Sequence, residues 1–384
     1  MSRAGIAVAA TLLVACGGKS LVGADGAAGR DAGSSVAGTT GSAGATGEAG
    51  TTGAAGTTDA AVTMGAAGAS IDASPDAPPD VARERAPEQR GEGCGKPLPT
   101  GHPQGPGVKG FKQYTVMTTG ASLAGANPGK AGPRSFWVRV PADYDPARAY
   151  RTVYYAPGCG GQGTGAPPFD GNGQGGPGAT IFVVLDTPTA MSSNCFDTRT
   201  GLASQEWEAF ELVHSVVDAN YCVDGDRVYV TGYNSGGSLA NMLGCYFAGD
   251  PKPPRMFAPK YHVRAQAVIW GNEPMEQPAC GGPVAAIWIH GANGVFPLSD
   301  NLPALERVGR TNGCKTTYDD PTAWTPWHAD VSTLAPALCR RFTGCPVEYP
   351  VVFCPANITP QQGPATQLSV PTLRTFFDDL EAGR

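Results

Sequence analysis

The amino-acid sequence predicts a doubly wound α/β domain with a mostly parallel sheet over residues 93–384. Two observations support this fold class. Strand-like apolar runs alternate with helix-like stretches, which is the pattern of a sheet covered by helices. Several later runs, such as "TIFVVLD" and "AAIWIHG", are continuously apolar, and parallel strands that are buried on both faces have this composition.

Each predicted element follows from its local composition and apolar spacing. The predicted strands are 113–120, 134–141, 151–157, 180–186, 227–232, 264–270, 285–291 and 349–354. The predicted helices are 205–219, 236–247, 302–312 and 371–382. Strands that alternate with helices in this way indicate a doubly wound sheet.

The first sixteen residues predict the signal peptide of a lipoprotein. Arg3 precedes an apolar run over residues 4–15, which is too short to span a bilayer. The run ends in "LVAC" at Cys16, which resembles the lipobox of bacterial lipoproteins, and this resemblance implies that Cys16 is acylated. The chain would then be exported and anchored in a membrane, in the periplasm or at the cell surface. The alternative is an ordinary signal peptide with a chance cysteine.

Residues 17–92 predict a disordered linker, because they are almost entirely small or polar and sustain no apolar period. Glycine recurs every third residue from Gly38 to Gly56, but these triplets contain no proline, which a collagen triple helix needs. A Gly-rich coil of about 70 residues spans roughly 45–50 Å, so the linker would hold the folded domain away from a membrane surface.

Charge and cysteine content narrow the function classes. The net charge of −6 argues against nucleic acid as a partner, since proteins that bind it carry a basic surface. Ten of the eleven cysteines remain when Cys16 is set aside, and an even number in an exported chain predicts disulfides, whose connectivity stays open. Free buried thiols are the alternative. The sequence contains no CxxC or HxxxH pair, so we expect no metal site.

One glycine-rich turn, "GCGGQG" at 158–163, matches the dinucleotide-binding fingerprint and follows a strand, and Asp186 ends the next strand. In dinucleotide-binding proteins the fingerprint opens a helix whose N-terminus meets the phosphates, whereas loop-like sequence follows it here. We therefore expect no cofactor.

A second glycine turn lies in "VYVTGYNSGGSLANMLGC" at 228–245. A strand-like run enters this turn and a helix pattern leaves it. Glycines at 232, 236 and 237 leave room for the sharp bend that a nucleophile elbow needs around its catalytic side chain.

Further segments accompany this turn, in a fixed order across most of the domain. They are "RSFWVRVPADYDP" with "RTVYYAPGCGG", "NCFD", "YCVDGDRVYVTG", "SGGSLAN", "IWIHG", "TNGC" and "YPVVFC". From about residue 110 onwards the chain resembles the secreted α/β-hydrolases of the polyhydroxybutyrate depolymerase and feruloyl/acetylxylan esterase group. The resemblance implies an α/β-hydrolase-type doubly wound sheet and carboxylic-ester hydrolase activity.

The resemblance also assigns positions in the elbow. The nucleophile of this family is the serine of G-x-S-x-G, and that place is held by Asn234. One oxyanion-hole donor would be the backbone N–H of Ser235, and the other would come from the glycine loop at Cys159.

The other two members of the catalytic triad are substituted as well. The acid of the family falls at Gly294, beside Asn293, in "HGANG". The histidine of the family follows the last strand, where residues 354–369 contain no histidine. Loss of the serine or the histidine of such a triad lowers turnover about a million-fold, so we expect no catalytic residues.

Ser235 is the one substitute nucleophile that the turn offers, and it would need a base within about 3 Å. His290 ends a core strand and is expected to be structural. His214 is expected to border either the apolar face of its helix or solvent, because Trp207, Phe210, Val213 and Val217 form the apolar stripe. Asp186 and Asp197 are also expected to be structural.

The segment "TAWTPWHADV" is a candidate ligand-binding loop. Trp324 and Trp327 would stack there on a sugar or an aromatic ring, beside His328. The alternative is a small aromatic cluster between disulfides.

The sequence therefore favours an exported lipoprotein whose esterase-like domain has lost its triad and binds a polysaccharide or polyester. Two alternatives stay open. One is an active carboxylic-ester hydrolase with a site rebuilt around Ser235, and the other is a structural surface protein without a ligand.

Overall fold

The computed structural model describes residues 90–103, 110–120, 131–161, 179–187, 195–196, 198, 203–248, 261–271, 280–291, 298–328, 339–356 and 364–383. The predicted signal peptide, the lipidation site Cys16 and the predicted linker up to residue 89 lie outside these residues.

The described residues contain ten strands and four α-helices. The strands are β1 (Lys112–Thr118), β2 (Gly132–Arg139), β3 (Tyr150–Ala156), β4 (Thr180–Leu185), β5 (Val223–Tyr233), β6 (Val263–Ile269), β7 (Ala285–Gly291), β8 (Trp324–Pro326), β9 (Arg340–Phe342) and β10 (Val351–Ala356). The helices are α1 (Ala203–Asn220), α2 (Ser235–Tyr246), α3 (Leu302–Thr311) and α4 (Pro364–Ala382).

All ten strands form one sheet in the order β1-β2-β4-β3-β5-β6-β7-β10-β9-β8. The six central strands, from β4 to β10 in that order, are parallel. The strands at both edges pair antiparallel. Because the central strands are parallel, their carboxyl ends lie at one edge of the sheet, where ligands of such folds bind.

Helices cover both faces of the sheet, as the continuous apolar runs predict. The core on one face includes Phe210 of α1, Leu239 of α2 and Leu305 of α3. The core on the other face includes Phe376 and Phe377 of α4. The prediction of an α/β-hydrolase-type doubly wound, mostly parallel sheet is confirmed.

The sequence missed two strands and misjudged two boundaries. Strands β8 and β9 have three residues each, which is too short for a recognisable alternation. Strand β5 begins at Val223 rather than 227, because its polar start pairs with β3. Helix α4 begins at Pro364 and continues through Pro371, the first residue of the predicted helix.

Ten cysteines form five disulfides, so the prediction from the even cysteine count is confirmed. The pairs are Cys94–Cys222, Cys159–Cys195, Cys245–Cys280, Cys314–Cys345 and Cys339–Cys354. These bonds fit a protein that folds in an oxidising compartment. Among the described residues, none of the helices has the length and apolar character to cross a membrane.

Candidate site at the turn after strand β5

The turn between β5 and α2 is held in a strained backbone conformation. Asn234 has φ 55° and ψ −122°, and a positive φ is uncommon for any residue with a side chain. Its N–H donates to the Ile269 carbonyl oxygen at 3.0 Å, and the Ser238 N–H donates to the Asn234 carbonyl oxygen at 3.1 Å. Strand β6 and helix α2 therefore hold this residue from both sides.

The glycines around the turn permit a close approach of backbones. A Cβ on Gly236 would lie 2.0 Å from the Ala156 carbonyl oxygen at the end of β3. A Cβ on Gly232 would lie 2.1 Å from the Gly236 carbonyl oxygen. Real Cβ atoms do not approach so closely, so the start of α2 reaches β3 because these positions lack a side chain.

The side chain of Asn234 caps the helix that follows it. Its Oδ1 accepts a hydrogen bond from the Ser235 N–H at 2.8 Å. The helix N-terminus thereby gains a partner for one of its free donors. The donor that the resemblance assigned to an oxyanion hole is thus bound by the apex residue itself.

The glycine loop after β3 packs against the same side chain. The Cys159 Sγ lies 3.6 Å from the Asn234 Oδ1. Because Cys159 forms a disulfide with Cys195, its sulfur has no hydrogen to donate, and this approach is a van der Waals contact. A Cβ on Gly158 would touch the Cβ of Asn234 at 3.3 Å, so the loop lies directly on the apex. The fold therefore brings Cys159 and Ser235 to the same atom of Asn234.

Ser235 begins α2, and no base among the described residues hydrogen-bonds to its hydroxyl. The Oγ atom is buried and makes no hydrogen bond to a described residue. A serine nucleophile needs a hydrogen-bonded base to take its proton. The described residues supply none at this position.

His290 lies at the carboxyl end of β7 and is fully engaged. Its Nδ1–H donates to the Gly291 carbonyl oxygen at 2.7 Å, and the Asn301 Nδ2 donates to its Nε2 at 3.1 Å. The ring is only 2% exposed. These contacts fit the structural role that we expected for this histidine.

Of the two positions expected for His214, the edge of the apolar face and solvent, the structure excludes solvent. The side chain is buried, its Nδ1 lies 2.6 Å from the Tyr154 hydroxyl, and its ring centroid lies 3.6 Å from that of Tyr261 in a tilted contact. Helix α1 buries this position because Tyr261, just before β6, covers it from outside the helix. The helix periodicity alone does not show that contact.

His328 lies just beyond β8, five strand positions from β5 in the sheet order. That is on the order of 20 Å along the sheet. Its Nε2 lies 2.5 Å from the Asp379 Oδ2 in α4. The fold therefore does not bring His328 to the elbow.

The two tryptophans beside His328 are packed inside the protein. Trp324 is 8% exposed, stacks at 3.8 Å on Phe342 and donates its Nε1–H to the Tyr318 carbonyl oxygen. Trp327 is 7% exposed and packs against Phe376. These contacts match the alternative of an aromatic cluster, which lies next to the Cys339–Cys354 disulfide.

The loops that would carry the acid and the histidine of a triad begin at the same edge of the sheet. Strands β7 and β10 are parallel neighbours, and their last residues, Gly291 and Ala356, are paired. Asn293 and Gly294 lie outside the described residues, as do residues 357–363. No group of three or more metal-ligating side chains occurs in the described part of the chain.

Asp186 follows β4, where its N–H donates to the Ser135 carbonyl oxygen at 3.1 Å. It borders a cavity of about 20 Å³ beside the buried ion pair between Arg134 and Glu206. A cavity of that size holds about one water molecule, so it is no pocket for a polymer or an ester. Asp197 lies outside the described residues.

An aromatic pair next to the apex escaped the sequence analysis. Tyr233 is half-buried, and its ring centroid lies 6.3 Å from that of Trp270, which directly follows β6 and has φ 48°. Burial raises the pKa of the Tyr233 hydroxyl, so it stays protonated. The sequence signal was available for Tyr233, which directly precedes Asn234, but not for the approach of Trp270.

The chain is similar in sequence to several feruloyl esterases. Probable feruloyl esterase C of Aspergillus terreus is 24% identical over 190 residues, which cover 48% of this chain and 63% of that protein. Feruloyl esterase C of Emericella nidulans is 23% identical over 191 residues, with 48% and 64% covered. Feruloyl esterase D of Neurospora crassa is 26% identical over 244 residues, with 58% and 68% covered. The chain thus spans a little under two thirds of the first two of these relatives.

No family model matches the chain. Among solved structures, Thermogutta terrifontis esterase 2 phosphorylated by paraoxon aligns at 12% identity and a TM-score of 0.33, over 51% of this chain and 78% of that one. The order of the strands, the glycine loop after β3 and the elbow after β5 are the arrangement of α/β-hydrolases. The chain thus has an α/β-hydrolase-type sheet and is similar in sequence to feruloyl esterases.

Proposed function

We propose that this domain is a non-hydrolytic member of the esterase-like α/β-hydrolases that binds a polysaccharide or a polyester outside the cytoplasm. Asn234 at the apex of the elbow carries the proposal. A carboxamide is neither a nucleophile nor a base. The Asn234 Oδ1 also accepts the hydrogen bond of the Ser235 N–H, and in a hydrolase this N–H donates to the oxyanion instead.

Two further observations support a loss of hydrolysis. The buried Ser235 hydroxyl makes no hydrogen bond to a described residue, so it has no base there. The described histidines at 214, 290 and 328 are each bonded elsewhere.

Binding would use the groups that the elbow still presents. The Asn234 Nδ2 makes no hydrogen bond to a described residue and is a donor for a carbonyl or hydroxyl oxygen. The half-buried ring of Tyr233 offers an apolar face beside it. Sugar rings and ester groups combine these polar and apolar features. Because Trp324 and Trp327 are buried, the predicted ligand loop contributes nothing to this proposal.

Activity assays test the first part of the proposal. We expect the purified protein to release no nitrophenol from p-nitrophenyl acetate or butyrate and to resist labelling by a fluorophosphonate. Asn234→Ser should stay inactive, since the segment 354–369 contains no histidine. Turnover that disappears in Ser235→Ala would overturn the proposal in favour of an active hydrolase built on that serine.

Retention on insoluble polymers tests the second part. We expect the protein to bind xylan, cellulose or polyhydroxybutyrate, and Tyr233→Ala to weaken that binding. Met117→Ala is the matched control, because Met117 is 63% exposed on the edge strand β1. No retention on any of the three polymers would favour a structural surface protein.

The membrane anchor is a separate part of the proposal and rests on the lipobox-like "LVAC". In a bacterial host, the wild-type protein should fractionate with membranes and incorporate labelled palmitate. Cys16→Ser should release the protein into the soluble fraction. Retention of that variant in membranes would show that Cys16 is not the anchor.

A further inference from the structure

The backbone of Asn234 has the geometry for attack on its own side chain. The N and Cβ substituents of a tetrahedral Cα lie about 120° apart in projection along the Cα–C bond. A ψ of −122° therefore places the Asn234 Cβ nearly eclipsed with the Ser235 nitrogen. This eclipsed arrangement is the one that a five-membered ring through Cα, Cβ, Cγ and the next peptide nitrogen requires.

The side chain is turned towards that nitrogen. The Ser235 N–H donates to the Asn234 Oδ1 at 2.8 Å, so the carboxamide lies beside the peptide group that would attack it. Hydrogen bonds from Asn234 to Ile269 and from Ser238 to Asn234 hold the backbone in this conformation. The geometry is thus a property of the folded turn and not a rare excursion.

The surroundings favour the charge that develops during attack. Ser235 is the first residue of α2, and the N-terminus of a helix stabilises negative charge on a deprotonated nitrogen or on an oxygen beside it. Both Asn234 and Ser235 are partly exposed, so water and solvent base reach them.

We infer that Asn234 is a site of spontaneous deamidation, at which the elbow converts its own carboxamide to a carboxylate. The Ser235 nitrogen gives its proton to a solvent base and forms a bond to the Asn234 Cγ. The bond between Cγ and Nδ2 breaks, and ammonia leaves after taking a proton from water. Water then opens the succinimide, at Cγ to give aspartate or at the main-chain carbonyl to give isoaspartate.

The aspartate product is stabilised where it forms. A carboxylate at this position keeps the hydrogen bond from the Ser235 N–H and gains the favourable field of the helix N-terminus. The modified chain would therefore carry a negative charge at the apex of the elbow. This reaction goes beyond the proposed function and does not depend on ester turnover or on ligand binding.

The chain contains its own control for the experiment. Asn241 lies seven residues further along the chain, within α2; it is 0% exposed and accepts a hydrogen bond from the Gln266 Nε2 at 3.2 Å. Its helical backbone keeps the next nitrogen away from its side chain. Trypsin releases both asparagines in one peptide, residues 228–255, so both experience identical handling.

The test incubates the folded, full-length protein at mildly alkaline pH in water labelled with oxygen-18. Digestion in ordinary water and tandem mass spectrometry then locate the labelled acid. We expect label at residue 234 and none at 241, at a rate at 234 no lower than in the guanidinium-denatured chain. Asn234→Gln should take up no label there, since its longer side chain does not form the five-membered ring. Slower conversion at 234 in the folded protein than in the denatured chain, or equal conversion at 234 and 241, would overturn the inference.

Discussion

The strained turn at Asn234 makes a quantitative prediction about stability. Replacement by glycine removes the cost of a positive φ, which is about 2 kcal/mol for a residue with a side chain. Glycine loses a few tenths of a kcal/mol as a helix cap and costs roughly 0.5–1 kcal/mol in backbone entropy. Asn234→Gly should therefore be about 1 kcal/mol more stable than the wild type.

Alanine should have the opposite effect at this position. It keeps the strain and removes the 2.8 Å hydrogen bond to the Ser235 N–H, and loss of such a cap costs about 1 kcal/mol. Asn234→Gly and Asn234→Ala should therefore differ by about 2 kcal/mol in the free energy of unfolding.

Guanidinium unfolding with the disulfides intact measures this difference, provided that the denaturant dependence is the same in both variants. The matched control is Ser215, an exposed residue in the interior of α1, where Ser215→Gly should be about 1 kcal/mol less stable than Ser215→Ala. If alanine were as stable as glycine at 234, the turn would not be strained, and the argument for both the cap and the deamidation geometry would fail.

Three further predictions concern the rest of the domain. Gly236→Ala should lower the free energy of unfolding by about 3 kcal/mol or prevent folding, because the new Cβ would lie 2.0 Å from a backbone oxygen of β3. Gly132→Ala is the control and should be nearly neutral in the same unfolding assay, because no atom lies within 4 Å of its Cβ position. Equal losses of stability in the two variants would contradict the packing argument. Burial lowers the pKa of His102 in the folded protein. As the pH falls, this histidine therefore binds a proton in the unfolded chain before it does so in the folded protein, and the free energy of unfolding should decrease as the pH drops through about 6.5. Urea titrations over that range should show a flatter pH profile in His102→Gln, and an unchanged profile would rule out this histidine as the cause. Loss of the Cys94–Cys222 disulfide should lower the free energy of unfolding by about 5 kcal/mol, because it closes a loop of 128 residues. Loss of Cys339–Cys354, which closes a loop of 15 residues, should lower it by about 3 kcal/mol. Thermal unfolding of the paired alanine variants checks this order, and the reverse order would show that packing, not chain entropy, dominates.

Much of this fold is predictable from the sequence because its signals are local. The apolar runs predicted every central strand, and the glycines around residue 234 predicted the turn between β5 and α2. The disulfide partners were not predictable, because pairing depends on which loops the fold brings together. The same limit applies to His214, whose burial depends on Tyr261.

The hydrogen bond within the elbow lies beyond sequence reasoning for a further reason. The sequence shows an asparagine at the apex and a serine after it. It does not show that the Asn234 Oδ1 accepts a hydrogen bond from the Ser235 N–H. That contact depends on ψ of a single residue, which strand β6 and helix α2 fix together.

The elbow keeps its strained form without a serine because packing, not chemistry, holds it. A turn that survived only for catalysis would relax when its nucleophile was replaced. Here Gly232 and Gly236 place α2 against β3, and the backbone of Asn234 is bonded to both Ile269 and Ser238. Removing the nucleophile removes none of these contacts. The strain of about 1–3 kcal/mol is therefore offset by the packing of α2 on the sheet, and the reactive geometry acts on whatever side chain stands at the apex. With serine that geometry would expose a hydroxyl, and with asparagine it turns the carboxamide towards its own backbone.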